Sequence, residues 1–213
     1  MPEIRRRLVI VSPIGLIGAC HLVQRATTGL GPWAWVPTMV FFWAAIAGLI
    51  SWAAGRDAVR RWLQAPQGGW AWSALAVAVG LLSLREFLGN WHLLESATVF
   101  FLWLGFGLVN PWFEEAYWRG LLIDATAGWV GGLGVVYSTL LFAWSHHLIW
   151  GVNSAALRHP AVLVGLAVVG AVWSVAYHRT RSLRFTIAGH AAANLLGLSV
   201  PVLMNLHVPA ALR

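Results

Sequence analysis

The chain has 213 residues, of which 59% are hydrophobic and only 10% are charged. Soluble domains carry about 25% charged residues, so this composition excludes an ordinary soluble protein and predicts a polytopic membrane protein. All 14 basic residues are arginine, and the net charge of +7 indicates loops that face anionic lipid rather than nucleic acid. The lone cysteine, Cys20, excludes an internal disulfide and a cysteine-based metal cluster.

Segments of about 20 apolar residues can span a bilayer. Such segments cover 8–23, 33–54, 70–84, 97–123, 129–150, 161–177 and 185–206. The first follows a basic start and resembles a signal peptide, but we interpret it as a transmembrane helix that is not removed. No polar stretch is long enough for a separate soluble domain. We therefore predict an all-α bundle of about seven spanning helices, forming a single transmembrane domain over 1–213.

The arginines predict an orientation for this bundle. If the N-terminus is inside, the inner arginines are Arg5, Arg6, Arg7, Arg56, Arg60, Arg61, Arg119, Arg179, Arg181 and Arg184. Cytoplasmic loops are rich in basic residues, so we expect a cytoplasmic N-terminus and a place in the cell (inner or plasma) membrane. A break at Asn110-Pro111 would give eight crossings as an alternative. It would also move the last three arginines outside, and we therefore favour seven.

The fourth segment contains two adjacent carboxylates and an arginine in apolar surroundings. A charge at the centre of a transmembrane helix costs about 2.5–3.5 kcal/mol on insertion scales, so these residues need partners. Glu115 and Arg119 are four apart and share a helix face, and we expect Arg119 to neutralise Glu115 as structural support. Glu114 lies about 100° further round the helix, without such a local partner. Asn110 is expected to cap a helix that starts at Pro111.

Two later segments also contain polar residues. His146 lies in the fifth, with His147 beside it, and His190 and Asn194 share a face of the seventh. A single intramembrane histidine or asparagine is often only an interhelical hydrogen bond, but several together with Glu114 indicate a shared polar interior.

The residue types in this group allow two kinds of site. They suit water activation and oxyanion stabilisation, and glutamate and histidine also suit zinc. The sequence contains no His-Glu-x-x-His motif and no serine nucleophile motif. For His146 to meet Glu114 at mid-depth, the fifth helix must begin later, near Gly132 or Leu133, and run on towards Leu157.

Three motifs resemble those of the CAAX prenyl protease and bacteriocin-processing family (CPBP, also called Abi). They are Glu114-Glu115-x-x-x-Arg119, Phe142-x-x-x-His146 and His190-x-x-x-Asn194. Trp118 stands where the family often has phenylalanine. The resemblance places a family-like catalytic core at 97–206 and implies an intramembrane endopeptidase. By that analogy Glu114 and His146 activate water, and His190 and Asn194 stabilise the oxyanion.

The resemblance leaves the cofactor open, because the family carries a metalloprotease name but its water mechanism needs no zinc. We favour no metal, since an amide such as Asn194 is an uncommon zinc ligand. The alternative is zinc held by Glu114, His146 and His190. The expected partners are membrane lipid and a peptide or protein substrate with a membrane-associated segment.

Two other functions compete with a peptidase. One is a non-catalytic membrane scaffold or immunity protein of the same family. The other is a proton-coupled transporter, which would often show two repeated halves that this sequence does not show.

Overall fold

A computed structural model describes residues 1–209 of the chain. These residues form helices, turns and irregular connections with no strand, which confirms the predicted all-α class. Four helical stretches are long and apolar enough to cross a membrane: Glu3–Ala26, Trp35–Ala53, Trp70–Leu94 and Pro160–Thr180. The chain is therefore an integral membrane protein of helical type. The count of seven crossings and the single domain over 1–213 stay predictions.

The first half of the chain contributes α1 (Glu3–Ala26), α2 (Trp35–Ala53), α3 (Gly55–Trp62), α4 (Trp70–Gly80) and α5 (Leu84–Asn90). The second half contributes α6 (Ala97–Glu115), α7 (Leu122–Ala125), α8 (Leu133–Ile149), α9 (Pro160–Thr180), α10 (Arg184–Leu196) and α11 (Ser199–Leu203). A π-helical turn, Ala116–Leu121, joins α6 to α7.

One end of the bundle is made by residues 54–67, 122–132 and 177–184, and we call it the arginine end. Here the Leu183 N–H donates to the Trp62 carbonyl and the Gln67 N–H donates to the Thr180 carbonyl, each at 2.7 Å. Asp124 accepts hydrogen bonds from the Trp62 indole at 2.9 Å and from a tyrosine hydroxyl of α9 at 2.8 Å. These bonds tie α3, α7, α9 and α10 together.

The opposite end is made by residues 81–96, 150–159 and 197–209, and we call it the distal end. The Ser154 hydroxyl donates to the Val202 carbonyl at 2.9 Å, and the Asn205 amide donates to the Asn153 carbonyl at 2.7 Å. The buried His207 ring lies 2.6 Å from the Glu86 carboxylate. Three separate loops of the sequence therefore form one layer at this end.

Close contact between α4 and α10 fixes the depth of His190 within the bundle. A Cβ atom at Gly189 would overlap the Ala76 carbonyl, so only glycine lets the two backbones approach this closely. The Trp173 indole of α9 donates to the same Ala76 carbonyl at 2.9 Å. His190 follows Gly189 directly and is held at this junction of three helices.

The structure corrects three predicted helix boundaries. α6 runs through Pro111 without a break, so Asn110 is not a helix cap and the break needed for eight crossings is absent. The fifth predicted segment started too early at residue 129. Gly131 and Gly132 adopt positive φ of 62° and 76°, and α8 begins at Leu133, as the meeting of His146 with Glu114 requires. Its extension towards Leu157 was wrong, because α8 ends at Ile149.

Candidate active site

Glu114 lies near the end of α6, and its orientation is set by two other side chains. The Asn110 amide nitrogen donates to Glu114 Oε1 at 3.1 Å, and the Trp43 indole N–H donates to Asn110 Oδ1 at 2.9 Å. Because an indole can only donate, the Asn110 oxygen must face Trp43 and its NH₂ must face the carboxylate. The sequence prediction gave Glu114 no local charged partner, and it missed Asn110 as a local hydrogen-bond partner. Its other oxygen, Oε2, has no hydrogen-bond partner among the described residues.

His146 faces that second oxygen from α8. Its Nδ1 lies 2.9 Å from the Phe142 carbonyl, which can only accept, so Nδ1 carries the proton. In the neutral ring Nε2 is then an unprotonated acceptor. Nε2 lies 3.8 Å from Glu114 Oε2, which is too long for a direct hydrogen bond. The neighbouring His147 lies close to a different group, the Leu157 carbonyl, at 3.2 Å.

His190 approaches the same carboxylate oxygen from α10. Its Nε2 lies 3.9 Å from Glu114 Oε2. On the other side of the ring, Nδ1 lies 2.8 Å from Glu115 Oε1, a contact that the sequence analysis missed. The Trp173 ring stacks on the imidazole, with centroids 4.7 Å apart and planes 17° apart. A carboxylate and an aromatic face both stabilise a protonated imidazole.

Glu115 and Arg119 form a buried ion pair, with 2.9 Å between Arg119 Nη1 and Glu115 Oε1 and no exposed surface on either side chain. Arg119 also donates to the Gly170 carbonyl of α9 at 3.4 Å. Its guanidinium lies over the Phe142 ring of α8, 4.1 Å from the centroid. With the contact to His190, the pair connects α6 and the π-helical turn to α8, α9 and α10.

Asn194 completes the predicted group. Its Oδ1 accepts from the Ser199 hydroxyl at 3.3 Å, while its Nδ2 has no hydrogen-bond partner among the residues described. Glu114, His146, His190 and Asn194 all line one cavity of about 330 Å³. Most of its other walls are apolar, including Phe106, Phe142, Leu157, Leu166 and Trp173. The structure thus brings the four candidates together, and their catalytic roles stay predictions.

Glu114, His146 and His190 are residue types that zinc accepts, but their spacing does not fit the ion. Ligand atoms about 2.0–2.1 Å from a tetrahedral zinc lie about 3.3 Å from each other. The two Glu114–histidine separations are longer, at 3.8 and 3.9 Å. Within residues 1–209 no group of three or more His, Cys, Asp or Glu side chains is arranged to hold a metal. The metalloprotease class therefore has no support in this geometry.

Comparison with known proteins agrees with the motifs. The family described as Rce1-like, type II CAAX prenyl endopeptidase Rce1-like, matches residues 95–196. Residues 95–196, just under half of the chain, are similar to this family. The match confirms the predicted resemblance, and the matched family is a family of proteases. No curated protein and no solved structure matches the chain.

The Rce1-like region contains all four candidates, but two residues that orient them lie outside it. Trp43, which holds Asn110, belongs to α2, and Ser199, which holds Asn194, begins α11. Asn110 itself had a usable signal in the sequence. It is four residues before Glu114, the spacing at which an amide and a carboxylate on one helix can bond. The wrong helix start at Pro111 hid this signal.

Proposed function

We propose that the protein is an intramembrane endopeptidase that hydrolyses a peptide bond in a membrane-associated protein or peptide. The observation that carries this proposal is the position of Glu114 Oε2. This oxygen is buried, has no hydrogen-bond partner among the described residues, and lies 3.8 Å and 3.9 Å from the Nε2 atoms of His146 and His190. The similarity of residues 95–196 to a family of proteases supports the same reaction class.

In this proposal Glu114 and His146 activate the attacking water molecule. Both present acceptor atoms, and one water molecule can donate one hydrogen to each across 3.8 Å. Glu114 Oε2 takes a proton from the water as its oxygen attacks the scissile carbonyl carbon. The same proton is later delivered to the nitrogen of the leaving amine, so the carboxylate acts first as general base and then as general acid.

In this proposal His190 and Asn194 stabilise the oxyanion. Asn194 Nδ2 is a donor without a protein partner among the described residues, and it lines the same cavity as Glu114. His190 donates from Nε2 when both ring nitrogens are protonated, because its Nδ1 hydrogen is directed at Glu115. Two such donors in a largely apolar cavity stabilise the negative charge of the tetrahedral intermediate more strongly than water does.

The test is turnover of a peptide substrate by purified protein in detergent, comparing wild type with Glu114→Gln. The amide cannot accept the proton from water, so we expect no measurable turnover at unchanged folded yield. The matched control is Glu95→Gln at an exposed position, which should keep wild-type activity. Wild-type turnover in Glu114→Gln would contradict the proposal. Expressed in its native membrane, the same variant should accumulate bound, uncleaved substrate that identifies the natural one.

A non-catalytic scaffold is the competing function, and one observation favours it. The buried Glu115, Arg119 and His190 contacts join several helices and would hold the bundle together without any turnover. The scaffold predicts that Glu114→Gln folds and binds its partners as the wild type does. It also predicts that no peptide accumulates in that variant beyond the wild-type level.

A further inference from the structure

A second cavity, of about 270 Å³, lies at the arginine end of the bundle. Its walls come from the last turns of α2, from α3, from the end of α6 and the turn that follows, and from the residues around the start of α10. It shares no lining residue with the cavity that Glu114 lines. Its described lining residues include no charged side chain, and only Ser51, Trp62 and Trp112 carry a polar side-chain atom. The space is therefore apolar and separate from the candidate active site.

The cavity lies just below the level at which the chain leaves the apolar part of the membrane. Ala47 and Ser51, on its wall, belong to the last two turns of α2, which is long and apolar enough to span a bilayer. α3 follows directly, with Arg56 and Arg60 exposed and Trp62 buried. A helix with one charged and one apolar face lies at the boundary between acyl chains and headgroups. The apolar cavity therefore lies beneath a layer of arginines.

Arg184 is held at the edge of this cavity by a specific contact. Its Nε donates to the Leu63 carbonyl at 2.6 Å, and both Leu63 and the preceding residue, Leu183, line the cavity. This bond leaves both Nη groups for another acceptor. Arg56 adds a second positive charge, since it lies one turn before the lining residue Val59 on α3. A guanidinium binds phosphate oxygens through paired N–H groups, so this edge of the cavity suits a phosphate.

We propose that the cavity binds part of one acyl chain of an anionic phospholipid, with the lipid phosphate against Arg184 and Arg56. Its volume is slightly below the range of about 300–1,000 Å³ for sites that enclose a drug-sized ligand, so it suits part of a chain rather than a whole lipid. The lining residue Trp112 is 52% exposed on the outer surface of α6, where a membrane protein meets lipid. Basic pockets between transmembrane helices bind anionic headgroups in the same way. This binding requires no turnover, so it is independent of the proposed peptidase function.

Lipid binding to the purified protein tests the proposal. Native mass spectrometry in detergent gives the Kd for the first bound molecule of dioleoyl phosphatidylglycerol or dioleoyl phosphatidylcholine, which share their acyl chains and differ in net charge. On the wild type we expect phosphatidylglycerol to bind about tenfold more tightly, the effect of one hydrogen bond to a charged group. Arg184→Gln places an amide nitrogen at the position of Nε and removes the charge. It should reduce the preference to less than about threefold.

Matched controls separate the headgroup from the chain. Arg179→Gln removes the same charge from an exposed position of the arginine end that does not line the cavity, and should keep the wild-type preference. Ala47→Phe fills the cavity from α2 and should weaken the binding of both lipids by about tenfold, because at least two methylene groups lose their contacts. Ala44→Phe changes an exposed residue of α2 outside the cavity and should leave both Kd values unchanged.

Four outcomes would overturn the proposal. Equal binding of the two lipids to the wild type would mean that the cavity does not select a negative charge, and no bound lipid would leave it to another occupant. A loss of preference in Arg179→Gln as large as in Arg184→Gln would assign binding to the overall surface charge. Unchanged binding in Ala47→Phe would place the acyl chain elsewhere on the protein. The comparison of the two lipids on the wild type holds even where a variant fails to fold.

Discussion

Replacing Asn110 tests the geometry of the site most directly. Asn110→Ala removes the donor that lies 3.1 Å from Glu114 Oε1 and the acceptor that lies 2.9 Å from the Trp43 indole nitrogen. A hydrogen bond to a charged group contributes about 1.5–3 kcal/mol to stability, and a neutral one about 1 kcal/mol. Asn110 is only 2% exposed. We therefore expect the variant to lose about 2.5–4 kcal/mol of unfolding free energy.

The same change should affect turnover more than substrate binding. Without Asn110, neither oxygen of Glu114 has a described partner, so the carboxylate is free to rotate away from His146. A loss of about 1.5–3 kcal/mol in positioning corresponds to roughly 10- to 100-fold in kcat, since about 1.36 kcal/mol is tenfold. KM should stay within about threefold of the wild type, because the effect is exerted on the base rather than on ground-state binding.

Two further variants separate the hydrogen bonds on either side of Asn110. Trp43→Phe keeps a ring stacked on Phe113, 5.5 Å away between centroids, and removes only the indole donor. It should cost about 1 kcal/mol and leave kcat within about fivefold. Asn110→Asp keeps the acceptor for Trp43, loses the donor to Glu114, and should lower kcat at least as much as Asn110→Ala. Wild-type kcat in well-folded Asn110→Ala would refute the role assigned to Asn110.

Three more predictions follow from the buried contacts. Arg119→Ala strands the Glu115 charge and should lower the unfolding free energy by about 3–5 kcal/mol, whereas Arg179→Ala at an exposed position should change it by less than about 0.5 kcal/mol. A wild-type melting temperature in detergent for Arg119→Ala would contradict this. Asn194→Ala should lose about 10²–10³ in kcat at unchanged KM, and a raised KM alone would make Asn194 a binding residue instead. A chelator should leave wild-type activity intact, and activity that depends on stoichiometric zinc would replace the roles given to Glu114, His146 and His190.

The residues of the site could be predicted from the sequence because charges are rare in apolar helices. Glu114, Glu115 and Arg119 stand out in a long uncharged stretch, and their helical spacing alone predicts the ion pair that the structure contains. His190 and Asn194 stand out in the same way. The lengths and the order of the apolar segments can be read from the sequence, and they were sufficient to predict the all-α class.

Contacts between helices could not be predicted in this way. The bond from Trp43 to Asn110 and the contact of His190 with Glu115 join residues 67 and 75 positions apart, respectively. Periodicity within one helix gives the face on which a residue lies, but not the depth at which that face meets its neighbour. The start of α8 was misplaced for a related reason. The apolar sequence extends on the N-terminal side of α8 to Trp129 and Val130. Only the two positive-φ glycines separate these two residues from the helix.

Glu114 and Glu115 are adjacent in the sequence but have different surroundings. The net charge of the buried group that contains them connects both residues to the proposed reaction. With both carboxylates ionised and Arg119 protonated, the buried group carries one net negative charge, which is costly in an apolar interior. A hydrogen on each ring nitrogen of His190 would neutralise the group, and the proposed mechanism uses the Nε2 hydrogen to bind the oxyanion. In the proposed mechanism Glu114 becomes neutral when it takes a proton from water, as the oxyanion becomes negative. The net charge stays at zero through the attack, so no unbalanced charge has to be created in the apolar cavity.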